Sequence, residues 1–555
     1  MARLRSKPVN GIDYWYLVES RRVNGKPREI TIEYFGNTKK FSQYLLNSQN
    51  ENKILKSYSH GDTYALLKIA KKLNIEGVLD NIFSRQSRDN LKRSQSLLLI
   101  ALQRVCKPSS KKTFANWFET TSLPYELDIE PKKLTSQHFW DQMDEITESE
   151  LAAAEDAIIK VVFEKYEFQI EKIALDYTNY FSYIDSNNDR CTLAKRGHNK
   201  QKRHDLKQFS LALITTKDIG LPICSHIYEG NVNDQSEFLT YFNILKKRIP
   251  NYDPKTMTLV FDGGSNNKEN LNTIDTYYIC GFSLSTCKEL YEIKLSDYTE
   301  IKIRDDCIVK AYRIKRVIWD KERDCILTYS RDLYRGQLKE LNTDIAKAKE
   351  LLTELNEKLA NEKSRISKLP ENIEKRIKKI LSKSHLSVIF NTNVIVADLN
   401  RKKIAKKVEY SINDEEKSNV IYKYFGKKLM ITNRVEWETQ EIIRTYREQD
   451  CIEKIFKDLK NTKHFSIRPQ YHFTDQKMRV HIFCTLLGLT LATVLYKEVL
   501  NYGYCELSKI QLIDTLSQIR RCWIRDKDKD SSKVTYVLEE MTNLQSKLWE
   551  IINVI

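Results

Sequence analysis

The sequence predicts an α/β fold, a mixed sheet flanked by helices, and three stretches carry that expectation. The runs IALDYTNYFSYI and FSLALITTKDIGLPICSHIY read as strands of a meander, the second pair joined at Lys217 to Gly220. A helical stretch from Gln235 to Lys247 then leads to the apolar strand MTLVFD, a helix after Asn266 and the strand YYICGFSLS, which is a β-α-β order. Far downstream, YREQDCIEKIFKDLK (Tyr446 to Lys460) has Ile452, Ile455, Phe456 and Leu459 at helical spacing, a stripe that buries one side of a helix.

Taken in order, residues 1–50 form an N-terminal β-hairpin region. Tyr14, Tyr16 and Val18 alternate before Asn24-Gly25, and Ile30, Ile32 and Tyr34 after it, with Asn-Gly suited to a two-residue turn. Residues 51–165 turn helical, as in TYALLKIAKKLNIEGVLDNIF and KRSQSLLLIALQRVC. Within KPSSKKTFANWF, Ser110 suits a helix cap beside Lys107, Lys111 and Lys112, so this region suits a small DNA-binding module as well as a plain bundle. Residues 166–290 hold the first part of the sheet core, with Asp176 and Asp262 at or near the ends of apolar strand runs. Residues 291–430 interrupt the plan as an insertion of strands plus a helical hairpin. Its charged helix carries Leu338, Leu341, Ile345, Ala348, Leu352, Leu355 and Leu359 in steps of three and four, a coiled-coil seam. A second helix after Pro370, with Ile373, Ile377 and Ile380, is expected to fold back on it within the chain, in preference to a dimer contact. Residues 431–500 complete the core with the Glu453 helix, and residues 501–555 read as a helical tail.

The 555 residues leave room for two to four domains and a large core. Lys and Arg number 92 against 75 Asp and Glu, a formal charge of +17, which points to a polyanion such as nucleic acid or an anionic membrane surface. The start, MARLRSKPVNG, lacks an apolar signal core. Val480 to Leu495 is the one long apolar segment; it is shorter than the ~20 residues of a membrane span and reads as a buried helix, so no membrane partner is expected. Eleven cysteines lie scattered without a C-x-x-C pair, which argues against structural zinc or a disulfide framework and fits a cytoplasmic protein with reduced thiols.

On one helix at ~100° per residue, Tyr446, Gln449, Glu453 and Lys460 project from one side as a polar row. Such a helix is ordinarily just a solvated surface element. Its neighbours change the reading, because Asp176 and Asp262 stand at strand ends, where ligand sites of open α/β sheets gather. If the three carboxylates converge they need a divalent cation, and hard oxygen donors suit Mg²⁺ or Mn²⁺. Two such ions about 4 Å apart can activate a water or a 3′-hydroxyl and stabilise a leaving oxygen. The run KRGHNKQKRHDLK (Lys195 to Lys207) is the densest basic stretch near this site and suits contact with DNA phosphates.

With these motifs the chain resembles the DDE transposases of prokaryotic insertion sequences, in the branch with a Tyr-x₂-Arg-x₃-Glu-x₆-Lys signature. Tyr446, Glu453 and Lys460 match that spacing; Gln449 stands where the signature has arginine. Members also carry a G-x-S/N-K…R-x-D-x-x-Q stretch and a G-N-x-x-D turn, met here by Gly197, Asn199, Lys200, Arg203, Asp205 and Gln208, then by Gly230, Asn231 and Asp234. A D-x-G-x-x-S/N setting is met approximately by Asp262, Gly264 and Asn266, and IRPQYHF and VHIFCTLLGL also look like family sequence.

The resemblance implies an RNase H-like core with an insertion before the glutamate helix. It implies Asp176, Asp262 and Glu453 as catalytic metal ligands for two Mg²⁺ (or Mn²⁺) ions, with Tyr446 and Lys460 on the phosphate at the cleaved end. DNA contacts are expected from Lys200, Lys202, Arg203, Arg447 and Lys460. With Gln449 in place of arginine, one cationic phosphate contact is weakened or passes to Arg447 or Arg444. The implied activity is metal-dependent cleavage and strand transfer at terminal inverted repeats of double-stranded DNA, by a homodimer in the synaptic complex. The alternatives are a nuclease of the same core that cuts without joining, and a transposase-derived DNA-binding protein without catalysis.

Overall fold

The computed structural model describes residues 2–555 apart from 24–25, 48–52, 84–90, 169, 186, 200–202, 250–251, 306, 384, 400–401, 505 and 527–534. Its strands are β1 (Ala2–Val9), β2 (Ile12–Val23), β3 (Lys26–Asn37), β4 (Lys53–Ser59), β5 (Lys172–Ser182), β6 (Lys207–Thr216), β7 (Pro222–Glu229), β8 (Thr258–Phe261), β9 (Tyr277–Phe282), β10 (Thr299–Arg304), β11 (Cys307–Ile318), β12 (Lys321–Tyr329), β13 (Phe390–Leu399), β14 (Lys402–Ile412), β15 (Lys427–Thr432), β16 (Arg520–Asp526) and β17 (Thr535–Leu538). The chain divides into two compact units, Met1–Leu259 with Glu448–Ile555, and Val260–Arg447. Both are mixed α/β, as the strand and helix patterns predict.

In the first unit the strand order is β8-β5-β6-β7, with β8 straddling the division. β5 and β6 are antiparallel, Asp176 opposite Leu213, and β7 follows β6 through the expected tight connection. Nearly every residue of β6 is buried, as its continuous apolar sequence requires of a strand covered on both faces. The Thr258 amide donates to the Glu171 carbonyl at 2.7 Å, so β8 begins beside the start of β5.

The core of this unit is built on the helix Asp475–Asn501. At 27 residues it outruns the apolar segment seen in sequence and is long and apolar enough to cross a membrane; 94% of its most apolar window is buried inside the protein, as expected of a core helix. It packs against the helix Arg93–Cys106, and closely: a β-carbon on Gly488 would lie 2.6 Å from the Ala101 carbonyl oxygen.

Several expectations change. The N-terminal hairpin pairs as predicted, Val23 opposite Lys26, but gains β1 as a third strand; its turn, Asn24-Gly25, lies outside the described residues. Residues 51–165 open on a strand, β4, before turning helical. The tail is not wholly helical either, since β16 pairs with β4 on one side and β17 on the other.

In the second unit the order is β10-β11-β12-β15-β9, every pairing antiparallel. β10 to β12 therefore extend the sheet through the β12–β15 ladder, and the interruption is shorter than residues 291–430. The coiled-coil helix Arg331–Ala360, the helix Pro370–Ile380 and the hairpin β13–β14 stand outside the sheet. Leu341, Ile345, Ala348, Leu352, Leu355 and Leu359 are buried, packed against Ile373 and Ile377 of the second helix and against the hairpin. The intramolecular helical hairpin is thus present, with a strand pair the heptads gave no sign of.

One buried ion pair ties this sheet to the segment beyond it. Asp324, 1% exposed, accepts from Arg313 Nε at 2.8 Å and again from Nη2, while Arg313 also donates to the carbonyls of Trp437 and Val435. Asp324→Ala leaves that guanidinium half-compensated inside the protein and should cost about 3–5 kcal/mol, checked by chemical denaturation. An exposed control such as Glu322→Ala should fall within about 0.5 kcal/mol of wild type.

Candidate active site

Asp176, Thr178 and Tyr180 alternate along β5 and share one face. The helix Asp450–Lys460 lies on that face, because Lys460 Nζ donates to Thr178 Oγ1 and stands 5.4 Å from the centre of the Tyr180 ring. At the helix's other end the Cys451 thiol is 3.9 Å from the carbonyl oxygen of Thr216, the residue opposite Ile173 across the β5–β6 ladder. Glu448, just before the helix, reaches Lys217 Nζ at 4.0 Å. The helix therefore runs along β5 in the same sense. Ile452, Ile455, Phe456 and Leu459 are buried, as their spacing predicts; Glu453 is exposed and has no ion pair among the described residues. Asp176 is half-buried and one carboxylate oxygen accepts from the Tyr177 amide at 2.8 Å. Thr178 and Tyr180, which hold Lys460, were missed in the sequence although they are the next two residues on the Asp176 face.

The expected single helix from Tyr446 to Lys460 is broken. One helix ends at Arg447 and the next starts at Asp450, with Glu448 and Gln449 in a turn whose carbonyls accept from the amides three residues on, at 3.2 and 3.0 Å. Tyr446 and Glu453 therefore lie on two separate helices. Gln449 is buried at 7% exposure and is not part of a solvent-edge row. Tyr446 and Asp262 belong to the second unit, Asp176, Glu453 and Lys460 to the first.

In the second unit Tyr446 points inward. Its hydroxyl lies 3.5 Å from an Asp262 carboxylate oxygen, and Lys428 Nζ stands 4.8 Å from its ring centre. A β-carbon at Gly281 on β9 would come within 2.6 Å of the Tyr446 hydroxyl and 3.1 Å of the same Asp262 oxygen, so the pair depends on the absence of a side chain there. Asp262 also accepts from the Gly263 amide at 2.8 Å, and Asn266 Nδ2 donates to the Gly281 carbonyl at 2.6 Å, fixing the turn that presents the aspartate. Asp262 itself is exposed.

The glycine and amide motifs between the two aspartates act as a fastening. Gln208 Nε2 donates to the carbonyls of Gly230 at 2.7 Å and His198 at 3.0 Å, while Asn199 exchanges bonds with the Arg203 backbone. Together they close the base of the basic loop. Of the DNA-contact candidates in that loop, Lys200 and Lys202 lie outside the described residues. Arg203 forms a two-pronged pair with Asp205 at 2.7 and 2.9 Å, which holds the Asp205 carboxyl down at about 2. Arg447 is exposed and its guanidinium donates to Cys307 Sγ at 3.1 Å.

Two aspartates and a glutamate are a donor set suited to Mg²⁺ or Mn²⁺. Among the described residues no three His, Cys, Asp or Glu side chains are grouped to hold a metal ion. All ten described cysteines are free.

No family model matches the chain and no curated protein matches it. Among solved structures, one similar chain comes from a cryo-EM structure of the piggyBac transposase synaptic complex with hairpin DNA, with a TM-score of 0.35 and 8% identity over 82% of this chain and 79% of that one. At that level of similarity no residue role passes from one chain to the other.

Proposed function

We propose that this chain is a DDE transposase that binds the terminal inverted repeats of an insertion sequence and catalyses Mg²⁺-dependent cleavage and strand transfer in the cytoplasm, as a homodimer on double-stranded DNA. What carries the reading is the helix Asp450–Lys460, which bears Glu453, lying along β5, the strand of Asp176, with Lys460 seated on Thr178 and Tyr180 of the Asp176 face. The strand order β8-β5-β6-β7, with the second aspartate directly after β8, agrees with an RNase H-like core. The charge of +17 suits a polyanionic substrate.

In this reading Asp176, Asp262 and Glu453 would hold the metal, which would activate a water or 3′-hydroxyl and neutralise charge on the scissile phosphate. Lys460, held by Thr178 and Tyr180, presents an ammonium for the DNA backbone. Tyr446 positions Asp262 through its hydroxyl. The reaction is hydrolytic nicking at the element end, then attack of the freed 3′-hydroxyl on a target phosphodiester.

The test incubates the purified full-length chain with labelled DNA carrying the repeats that border its gene, plus a target plasmid, with and without Mg²⁺ or Mn²⁺. Nicked ends and joined products that need both the repeats and the metal support the reading. Cutting without joining moves the assignment to a nuclease, and binding without either overturns catalysis.

A further inference from the structure

Arg104 and Lys111, both in the first unit, have no counter-ion among the described residues. Arg104 is fully buried, and among the described residues its guanidinium meets only the carbonyls of Arg468 at 3.1 Å and Ser109 at 3.4 Å, with Nε unpartnered. Lys111 is partly buried, and its ammonium has no ion pair or hydrogen bond among the described residues. No carboxylate stands among the charged neighbours of either. Asp144, which reaches this region, is already paired with Lys477 at 3.0 Å.

Around the two cations, buried polar atoms are left over. Among the described residues Gln470 Nε2, His472 Nδ1 and His481 Nδ1 have no partner, although His481 Nε2 meets the Ile467 carbonyl at 2.8 Å and the two imidazoles stand 5.1 Å apart. A guanidinium and an ammonium in low dielectric without an anion cost several kcal/mol, and leftover donors add to that cost. Consistently, burial and then the neighbouring Arg104 push the Lys111 ammonium down to about 7, and burial with Lys111, Lys477 and Arg104 pushes the His472 imidazole down to about 3.

We propose that Arg104, Lys111, Gln470 and His472 form a recessed oxyanion site that takes a phosphate group, either free or on a nucleic-acid backbone. An oxyanion there supplies the missing negative charge and accepts from the unsatisfied donors. The site shares no residue with the proposed catalytic set and does not depend on that reading.

The test is the melting temperature of the full chain in phosphate and in chloride at matched ionic strength, and its affinity for a short DNA duplex across a salt series. Wild type should melt about 3 °C or more higher in phosphate if the group is free. If the group belongs to DNA, phosphate gives no rise and Lys111→Met instead weakens duplex binding several-fold and lowers the salt slope by about one phosphate. Lys111→Met should not lower the melting temperature in chloride, because it removes an uncompensated charge, whereas a structural lysine would; Lys111→Arg should keep the anion response. An equal rise of melting temperature in phosphate for wild type and Lys111→Met, or no effect of Lys111→Met on either readout, overturns the proposal.

Discussion

Asp176→Asn and Glu453→Gln are each expected to lower metal-dependent DNA cleavage at least about 10³-fold, a loss of about 4 kcal/mol of transition-state stabilisation. Each substitution keeps the shape of the side chain and removes the charge that holds a divalent ion. The fold should tolerate both. Glu453 is exposed and bonded to nothing among the described residues, and an amide oxygen at position 176 still accepts from the Tyr177 amide. DNA binding in the absence of metal should stay within about threefold of wild type, since phosphate contacts come from cations elsewhere. Asp450→Asn supplies the control, an exposed carboxylate at the start of the same helix that should leave cleavage near the wild-type rate. Cleavage at more than about a tenth of the wild-type rate in either variant removes that carboxylate from the chemistry.

What was legible in the sequence tracks the range of the interaction that fixes it. β5, β6 and the Arg331–Ala360 helix are dictated by local periodicity, and each lies where its pattern predicts. β4 and β16 pair across more than 450 positions, Lys53 with Asp526, and neither RRCWIRD nor KILKSYS carries enough alternation to announce a partner that distant. The break at Glu448–Gln449 was hidden for a different reason. YREQD contains neither proline nor glycine, every residue in it tolerates a helix, and only burial of the Gln449 side chain betrays the turn. At the candidate site the residues that do chemistry were readable because few residue types can do it. The residues that hold them, Thr178, Tyr180 and Gly281, are ordinary strand residues until the helix or the neighbouring turn is placed against them.

Gly230→Ala is expected to be among the most damaging single changes to stability, at about 3 kcal/mol or more. An added β-carbon would lie 1.9 Å from the Gln208 carbonyl oxygen and 2.5 Å from its carbon, contacts that only backbone movement relieves. The backbone there has little freedom, since Phe209 is held opposite Glu229 in the β6–β7 ladder and the Lys195 and Gln208 amides bond each other's carbonyls at 2.9 and 2.8 Å. Moving it also stretches the 2.7 Å bond from Gln208 Nε2 to the Gly230 carbonyl, leaving a buried amide without its acceptor. Gly197 faces the same knot from the other side, its missing β-carbon 2.0 Å from the Gly230 oxygen, so Gly197→Ala should match the loss and the double variant should lose less than the sum of the two. Because the knot closes the base of the Lys195–Lys207 loop, both variants should also bind DNA more weakly at temperatures where they remain folded. Gly264→Ala, with open space around its β-carbon, should stay within about 0.5 kcal/mol of wild type in the same denaturant titration. A Gly230→Ala protein within about 1 kcal/mol of wild type would mean that the two loops are not locked together by this contact.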